Sequence, residues 1–448
     1  MSSRYEAVVI GSGPAGETAA AKLAKEDLSV ALIERELVGG ECAYWACIPS
    51  KTLLRPPEAR AEAARVAGIS EPEARWQEIV AYRNYMVRDL DDSGVVDGYE
   101  KRGMTVIKGS ARIVDAGRVA VGDQEIEAER IVIATGSEPQ LPPVDGLGSI
   151  DYWTNREATT LDRVPEDVIV LGGGPVGIEL GQMLRRYGAG VTIVEAAERL
   201  IDREDPRVGE LIAEALADDG IELRLVARAT AARADGDRQV LELEGGEELS
   251  AERIVVATGR RPRTGELGLE RLGIELGERG EIPVDERCRA AERVWAIGDV
   301  TGVSMFTHTG TYQARIACAD IAGSDARADY RAIPRVVFSD PEIAAVGLTM
   351  EEASERGIDA VEGRSDLSRV ARAATFGEGV GGEVGVMADR DTRTLVGAWA
   401  VGPLAGEWIH QAVLAVKAEI PVEVLRDTVA QFPTFSEAFR PALEDLEL

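Results

Sequence analysis

The sequence predicts an α/β protein with two Rossmann-like βαβ domains and a C-terminal α+β domain. A strand pattern, a G-x-G-x-x-G motif and a helix pattern follow one another twice along the 448 residues. Each copy later closes with an apolar strand and an Ala-Thr-Gly turn. From about residue 333 the pattern changes again.

The first copy begins with residues 5–10 as a strand and continues with Gly11, Gly13 and Gly16. The first glycine makes the turn, the second lets the backbone approach a pyrophosphate, and the third packs the helix on the strand. Glu34 ends the second strand, where a carboxylate can bond ribose hydroxyls. The order strand, glycines, helix, strand and acid therefore predicts a dinucleotide site.

The second copy runs from residues 167–171 through Gly172, Gly174 and Gly177 to Glu195. In both copies the acid follows the first glycine by 23 residues. We interpret this as an internal duplication of two nucleotide-binding folds rather than a short-period repeat. Two sites in one chain suggest two dinucleotides, with electrons passing between them.

Helices are predicted from residue 53 to about 66 and from 76 to about 96. Residues 104–133 alternate between apolar and polar side chains, which predicts a small antiparallel extension of the first domain. Residues 222–257 repeat that pattern in the second copy.

Cys42 and Cys47 are two of four cysteines in the chain, and four residues separate them. Zinc pairs and helical redox pairs usually have two residues between the cysteines. On a regular helix, positions five apart point ~140° away from each other, so the sulfurs can bond only if the helix is distorted. Pro49 provides a cause, because its ring crowds the carbonyl of Trp45. Two structural cysteines in an ordinary helix are the alternative.

The composition restricts partners and location. A formal charge of −29 and a pI near 4.6 argue against nucleic acid or an anionic membrane, because both attract positive charge. We favour a solvated acidic surface. No apolar run reaches the ~18 residues of a membrane span, and a first strand near Tyr5 leaves no room for a signal peptide. We expect a cytoplasmic protein, in which a close cysteine pair is more often catalytic than structural.

The segment around the cysteines resembles the redox-active segment of the class I pyridine nucleotide-disulfide oxidoreductases. This is the flavoprotein family of dihydrolipoyl dehydrogenase, glutathione reductase and mercuric reductase. The matching residues are Gly39, Gly40, Cys42, Cys47, Ile48, Pro49, Ser50 and Lys51. The resemblance continues to about Phe439. It implies an FAD-binding domain from residues 1–150 and 291–332 and an NAD(P)-binding domain over 151–290. It also implies a dimerisation domain over 333–448, an antiparallel sheet with flanking helices that forms a homodimer.

The resemblance also implies roles for individual residues. Cys42 and Cys47 would form a redox-active disulfide, with Cys47 nearest the flavin and Cys42 facing the substrate. Lys51 would pair with Glu179 near the flavin. The Asp299 carboxylate would bond the ribityl chain of FAD. The expected cofactor contacts are Gly11, Gly13, Gly16, Glu34, Lys51, Ala111, Thr135, Gly136, Asp299, Phe306, Thr307, His308, Gly172, Gly174, Gly177, Glu195 and Gly259.

Two cofactor questions depend on particular side chains. Glu195 is followed by alanines rather than arginines, so NADH is preferred over NADPH because a carboxylate repels a 2′-phosphate. Arg199 is the residue that could reverse this preference. His308 begins a helix whose backbone is expected to meet the flavin, whereas its ring has no expected role.

The C-terminal segment departs from the family pattern. Disulfide-reducing members carry a histidine there, which acts as the acid/base for the thiols of the partner subunit. This chain has Phe432 in its place. Glu437, the expected catalytic glutamate, is present. Phenylalanine cannot transfer a proton. His410 lies in another helical run and is interpreted as a surface residue. Mercuric reductases also manage without this histidine, but they resemble one another in a C-terminal cysteine pair, whereas this sequence ends LEDLEL.

Several functions therefore stay open. We expect an FAD-dependent NAD(P)H oxidoreductase that reduces a small or protein disulfide. The alternative is a flavin-level reductase of quinones, dyes or metal ions, and a third possibility is a non-enzymatic redox sensor. Tyr44 and Trp45 lie between the cysteines, where they either pack locally or form an aromatic wall for a flat substrate. Pro175 begins the helix after the second glycine motif. Some family members carry there a tyrosine that swings over the flavin, and proline cannot act in this way.

Overall fold

The computed structural model, which describes residues 3–448, divides into two units that each combine separate stretches of chain. The first unit comprises the described residues up to Pro49, with Ala81–Gln140 and Gly259–Asp329. The second comprises Ser50–Val80, Leu141–Thr258 and Tyr330–Leu448.

The secondary structure alternates between strands and helices before it becomes mainly antiparallel. The strands are β1 Ser3–Tyr5, β2 Ala7–Ile10, β3 Val30–Glu34, β4 Thr105–Lys108, β5 Ala111–Asp115, β6 Arg118–Val121, β7 Gln124–Ala128, β8 Ile131–Ile133, β9 Ser137–Pro139, β10 Asp167–Leu171, β11 Gly190–Val194, β12 Glu222–Arg224, β13 Ala229–Asp235, β14 Arg238–Leu243, β15 Glu248–Ala251, β16 Arg253–Val256, β17 Arg260–Pro262, β18 Arg289–Ala291, β19 Val294–Ala296, β20 Pro334–Val337, β21 Glu342–Gly347, β22 Ala360–Asp366, β23 Glu383–Asp389 and β24 Thr394–Gly402. The helices are α1 Pro14–Lys25, α2 Gly40–Tyr44, α3 Cys47–Arg65, α4 Trp76–Met86, α5 Ser93–Glu100, α6 Asn155–Thr160, α7 Pro175–Arg186, α8 Pro206–Asp218, α9 Thr307–Ile321, α10 Met350–Glu355, α11 Ala371–Phe376, α12 Ala405–Trp408, α13 His410–Lys417, α14 Val422–Asp427 and α15 Phe439–Glu444.

The first unit is built on a six-stranded sheet in the order β18-β19-β8-β2-β3-β4. Its strands are parallel from β19 to β4. β2 and β3 are buried along their whole length and, apart from Glu34 at the end of β3, are apolar on both faces, as expected for central strands of a parallel sheet. A second sheet, β1-β7-β6-β5, combines the predicted antiparallel strands with β1. A two-stranded ladder of β9 and β17 completes this unit.

The antiparallel extension is shorter than the sequence predicted. β4 and β8 lie at either end of residues 104–133, and both belong to the parallel sheet. The reason is visible in β8, whose three apolar residues are all buried, whereas β7 alternates between buried and exposed positions. The first strand also divides into β1 and β2.

The second unit repeats the plan of the first. Its parallel sheet has the order β12-β11-β10-β16, and a three-stranded antiparallel sheet, β13-β14-β15, is inserted before the closing strand β16. A third sheet, β20-β21-β24-β23-β22, is antiparallel throughout, as predicted for the C-terminal domain. One buried cluster joins Leu53 of α3, Ile178 of α7 and Trp399 of β24, so the third sheet shares a core with the second βαβ fold.

Two predicted helices have different bounds. α3 begins at Cys47 rather than near residue 53. The predicted helix over 76–96 ends at Met86, and Arg88, Asp89 and Leu90 then adopt positive φ angles before α5 begins. Within the described chain, no helix is both long enough and apolar enough to cross a membrane.

Candidate active site

The first glycine motif forms the turn between β2 and α1. Gly11 has φ +96°, and a Cβ there would lie 2.3 Å from the carbonyl oxygen of Ala134. A Cβ on Gly16 would lie 1.9 Å from the Gly11 carbonyl oxygen, so this glycine lets helix and strand pack closely. A Cβ on Gly13 would meet nothing within 4 Å. The backbone at the start of α1 is therefore open to a ligand, and helix N-termini bind phosphates well.

Glu34 clamps this turn. Its carboxylate accepts hydrogen bonds from Ser12 N at 2.9 Å, from Ser12 Oγ at 2.7 Å and from Glu36 N at 2.8 Å. A carboxylate has about four lone-pair sites, so one is left for a ribose hydroxyl. Gly39 N donates to Ser12 O, and a Cβ on Gly40 would lie 2.7 Å from Gly13 Cα. The segment before Cys42 thus lies directly on the turn.

The second glycine motif repeats this geometry in the second unit. Gly172 has φ +116°, a Cβ on Gly177 would lie 2.0 Å from the Gly172 carbonyl oxygen, and a Cβ on Gly174 would be open. Glu195 accepts from Gly173 N at 2.6 Å and from Ala197 N at 2.8 Å. The two acids therefore hold their loops in the same way, and both loops fit a dinucleotide pyrophosphate.

Arginines near Glu195 are already engaged. Arg199 Nη2 donates to Asp202 O at 2.6 Å. Arg224, whose carbonyl accepts from Glu195 N, makes an ion pair with Glu222 at 2.6 Å. Neither interaction directs a guanidinium to the Glu195 carboxylate.

The two cysteines lie on either side of a helix break. Cys42 belongs to α2, which ends at Tyr44, and Cys47 is the first residue of α3. Pro49 falls in the first turn of α3, where its missing N–H has no intrahelical partner to lose. The predicted distortion is thus a complete break between two helices.

Both cysteines are half-buried thiols in this structure. Thr307 Oγ1 lies 3.4 Å from Cys42 Sγ and 3.5 Å from Cys47 Sγ. The hydrogen bond with the Cys47 thiol, together with burial, raises the pKa of Cys42. Ionisation of the Cys42 thiol is therefore disfavoured.

Tyr44 packs locally and forms no wall toward solvent. Its side chain is completely buried, its hydroxyl donates to Val38 O at 3.1 Å, and the Arg88 guanidinium lies 5.9 Å from its ring centroid. Trp45 is half-buried against it, with ring centroids 5.8 Å apart. The local-packing interpretation therefore holds for Tyr44.

Asp299 lies half-buried in the turn Gly298–Thr301. Burial raises its pKa, whereas a 2.6 Å hydrogen bond from Ser137 Oγ acts in the opposite direction. Arg260 donates to Ser137 Oγ and O, and Arg260 and Arg263 each approach the Glu41 carboxylate at 3.7 Å. This charged cluster in the first unit pairs two acids with two arginines, next to the glycine turn.

The sequence analysis missed Glu41, Ser137, Arg260 and Arg263. Ser137 and Arg260 are 123 residues apart and meet only because β9 pairs with β17. The available signal was positional, because Ser137 directly follows the first Ala-Thr-Gly turn and Arg260 the second.

The other expected FAD contacts lie in the first unit. Thr135 Oγ1 donates to Arg263 O at 2.7 Å, and Gly136 has φ +72°. Ala111 begins β5. Phe306 immediately precedes α9, and its ring stacks on the exposed His308 ring at 5.2 Å. Gly259, a further expected cofactor contact in the same unit, has φ +119°.

Lys51 and Glu179 meet in the second unit. Lys51 Nζ lies 2.6 Å from Glu179 Oε2, and the ammonium also lies 4.8 Å from the ring centroid of Phe338. Phe338 N donates to Glu179 Oε1 at 2.9 Å. The carboxylate is nearly buried, so these two partners offset the cost of its desolvation.

A cavity of about 370 Å³ adjoins this pair within the second unit, and its wall includes Lys51, Glu58, Phe338 and Glu342. Glu342 Oε2 accepts from Gly406 N at 2.9 Å. Burial raises the pKa of Glu342 to about 7. The cavity wall therefore carries a carboxyl group that titrates near neutral pH.

The C-terminal residues have simple surroundings in the single chain. Glu437 accepts from Thr434 N at 3.0 Å and caps the turn Phe435–Ala438. Phe432 is 76% exposed, and His410 is exposed at the start of α13. Between residues 3 and 448, no three His, Cys, Asp or Glu side chains are grouped as metal ligands.

Comparison with known families decides the assignment. Residues 5–314 match the family described as pyridine nucleotide-disulphide oxidoreductase, and residues 333–443 match the dimerisation domain of the same family. The chain belongs to this family. The predicted family, α/β fold class and enzymatic nature are therefore confirmed, and the family uses FAD with NAD(P)H. The dimerisation domain supports a homodimer.

Relatives in this oxidoreductase family carry different names. A mercuric reductase from Bacillus cereus is 34% identical, covering 98% of this chain and 71% of that protein. A dihydrolipoyl dehydrogenase from Thermus scotoductus is 36% identical, covering 99% of this chain and 97% of that protein. The Cu(II) complex of the HOCl-induced flavoprotein disulfide reductase RclA from Escherichia coli has a TM-score of 0.87 at 29% identity, covering 98% of this chain and 99% of that one.

Proposed function

We propose that this enzyme passes two electrons from NADH through FAD to the Cys42–Cys47 pair and on to a disulfide substrate. The observation that carries the proposal is the helix break that leaves both sulfurs in contact with one hydroxyl, that of Thr307. The net reaction is NADH + H⁺ + RSSR → NAD⁺ + 2 RSH. Bound FAD supplies the two-electron relay between the nicotinamide and the cysteines.

The residues of the chain have distinct roles in this proposal. Cys42 attacks the substrate disulfide, one substrate thiol leaves, and Cys47 then attacks Cys42 to release the second thiol. Cys47 becomes a thiolate first, because the hydrogen bond from the Cys42 thiol stabilises its charge. In the second unit, Glu179 holds the Lys51 ammonium in place through their ion pair. In the first unit, Asp299 and Glu34 bind FAD.

An anaerobic titration with NADH tests the electron path. We expect a long-wavelength charge-transfer absorbance that Cys47→Ser removes, because a thiolate is its donor. Bleaching of the flavin without that band would show that the cysteines lie off the path. Retained FAD and an unchanged circular dichroism spectrum would show that the variant is folded.

We also propose NADH as the preferred donor. Glu195 repels a 2′-phosphate, and the nearby Arg199 and Arg224 are engaged by other partners. The ratio of kcat/KM for NADH to that for NADPH should exceed ten, and Glu195→Ala should lower this ratio. A ratio below one would overturn the proposal.

A second candidate is a flavin-level reductase of quinones or metal ions. The exposed Phe432 favours it, because this residue cannot serve as the acid/base for thiols. Similarity to a mercuric reductase and to a protein crystallised with Cu(II) makes these ions sensible trial acceptors. Cys42→Ser separates the candidates. It should abolish disulfide reduction and leave dye reduction intact, whereas equal loss of both would contradict Cys42 as the outward thiol.

The assembly proposed is a homodimer in the cytoplasm, with domains 1–150 plus 291–332, 151–290 and 333–448. The match to a dimerisation domain and the exposed apolar residues Val429 and Phe432 support the dimer. Light scattering should give twice the chain mass of 47.9 kDa. A concentration-independent monomer mass would contradict it.

A further inference from the structure

Thr307 holds a hydroxyl against both sulfurs of the cysteine pair. It is the first residue of α9, a helix of 15 residues whose N-cap residue, Phe306, makes no side-chain cap. Its Oγ1 lies 3.4 Å from Cys42 Sγ and 3.5 Å from Cys47 Sγ, and both distances suit hydrogen bonds to sulfur. A hydroxyl has one donor and two acceptor sites, so it can donate to one sulfur and accept from the other.

The N-terminus of α9 favours a thiolate next to Thr307. The N-terminus of α9 carries a partial positive charge, which stabilises an anion in the first turn. The charged side chains packed around these elements offset one another, because Glu41 on α2 approaches Arg260 and Arg263. His308 on α9 stacks on Phe306. The Thr307 hydroxyl, by contrast, directly contacts both sulfurs.

We propose that Thr307 is a further catalytic residue, whose hydroxyl donates a hydrogen bond to whichever sulfur of the reduced pair carries the negative charge. This rests on the proposed function of the cysteine pair. With Cys47 as thiolate, both the hydroxyl and the Cys42 thiol donate to Cys47. When Cys42 becomes the nucleophile, the hydroxyl turns toward it. In this way the reduced pair holds one negative charge near neutral pH without an imidazolium at position 432.

Thiol alkylation measures this charge without relying on turnover. The FAD-loaded enzyme is reduced with a phosphine under anaerobic conditions, treated with iodoacetamide between pH 5 and 9, and mapped by mass spectrometry. Thr307→Val should lower the alkylation rate of the more reactive cysteine at least about tenfold at pH 6.5, which corresponds to a rise of one pKa unit. Thr307→Ser should restore the rate to within twofold.

Two controls come from the chain itself. Thr311→Val removes a hydroxyl one turn later on α9, where Oγ1 donates to the His308 carbonyl, and it should leave the rate unchanged. Cys288 and Cys318 are buried and should stay unmodified in every folded sample. If Thr307→Val fails to bind FAD, Thr307→Ala takes its place.

Two results would overturn the proposal: an unchanged rate in the Thr307 variants, or a rate that serine does not restore. Neither depends on the electron path. If the charge-transfer band is absent but Thr307→Val still shifts the alkylation profile, the proposed function fails and the contact between hydroxyl and thiolate stands. If the charge-transfer band is present but Thr307→Val leaves the alkylation profile unchanged, the disulfide mechanism stands and Thr307 has no part in it.

Discussion

Phe432 is the residue whose chemistry differs most from that expected of a disulfide reductase in this family. It is 76% exposed in the single chain. Phe432→His should raise thiol–disulfide turnover by about 10²-fold, because general acid–base help is usually worth ~10²–10⁴. Steady-state rates with a small disulfide and NADH measure this.

Phe432→Leu is the matched control, since it changes shape without adding a titratable group. The gain should also follow the deprotonation of an imidazole with pH, which leucine cannot reproduce. Equal rates for the two variants, both retaining FAD, would show that a missing base does not limit turnover.

Some residues were predictable because their positions repeat. Glu34 and Glu195 follow from the glycine spacing, and both carboxylates do lie at their glycine turns. That each carboxylate accepts hydrogen bonds from backbone N–H groups was not predictable, because it depends on the backbone conformation of each turn. Thr307 was expected to matter through its backbone, whereas its hydroxyl contacts the cysteines. That contact crosses 260 residues or more of chain and has no local sequence signal.

At the scale of elements, β21 begins with Glu342. Its pKa of about 7 lies above the ordinary glutamate value, so the folded state binds a proton that the unfolded state releases. The associated stability is complete below about pH 4.5 and is lost as the pH rises through 7. Relative to Glu342→Gln, the wild-type protein should therefore lose about 3 kcal/mol across this range.

Urea unfolding at pH 5 and pH 8, at fixed protein and FAD concentrations, measures that difference. The glutamine amide can still accept the hydrogen bond from Gly406 N, so the variant isolates the charge. Glu351→Gln, an exposed substitution on α10, should show no such dependence. Parallel stability curves for Glu342→Gln and the wild type would contradict the raised pKa.

The core strands were easier to predict than the connections between elements. β2, β3 and β10 are short apolar runs followed by glycine or acid, and they occur where the sequence indicated. β8 and β16 also read as apolar closing strands, but the assignment of all of residues 104–133 to the antiparallel sheet failed. Three-residue strands give too few positions to distinguish burial on both faces from alternation.

At the scale of the whole molecule, the charge of −29 is the dominant feature. Like charges on the surface repel one another, and this repulsion destabilises the folded state. Raising NaCl from 0.05 to 1 M shortens the Debye length to about 3 Å and should raise the Tm by several degrees. Differential scanning calorimetry of the FAD-loaded protein tests this.

A neutral osmolyte of matched osmolality is the control for excluded-solvent effects, which also favour folding. The increase in Tm should be larger in salt than in the osmolyte and should level off once charges are screened. A Tm that falls with salt would mean that attractive ion pairs, such as Arg335 with Glu204, outweigh the surface repulsion.

The division of the chain into units also lies beyond what a linear sequence shows. Residues 50–80 follow directly on the cysteines, yet they group with the second unit. The cause is packing, because Leu53 and Leu54 enter the same buried cluster as α7 and the C-terminal sheet. Apolar residues on a helix predict burial but not the partner against which they are buried.

A glutamate accepts backbone N–H bonds at both glycine turns, but the residues that surround the two turns differ. At the first turn, Ser12 adds a hydroxyl bond to Glu34 and the segment through Gly40 lies against Gly13. At the second, the place of Ser12 is taken by Gly173, because a Cβ there would lie 2.5 Å from Leu200. Under the proposed function, one duplicated glycine turn holds FAD in the first unit and binds NADH in the second.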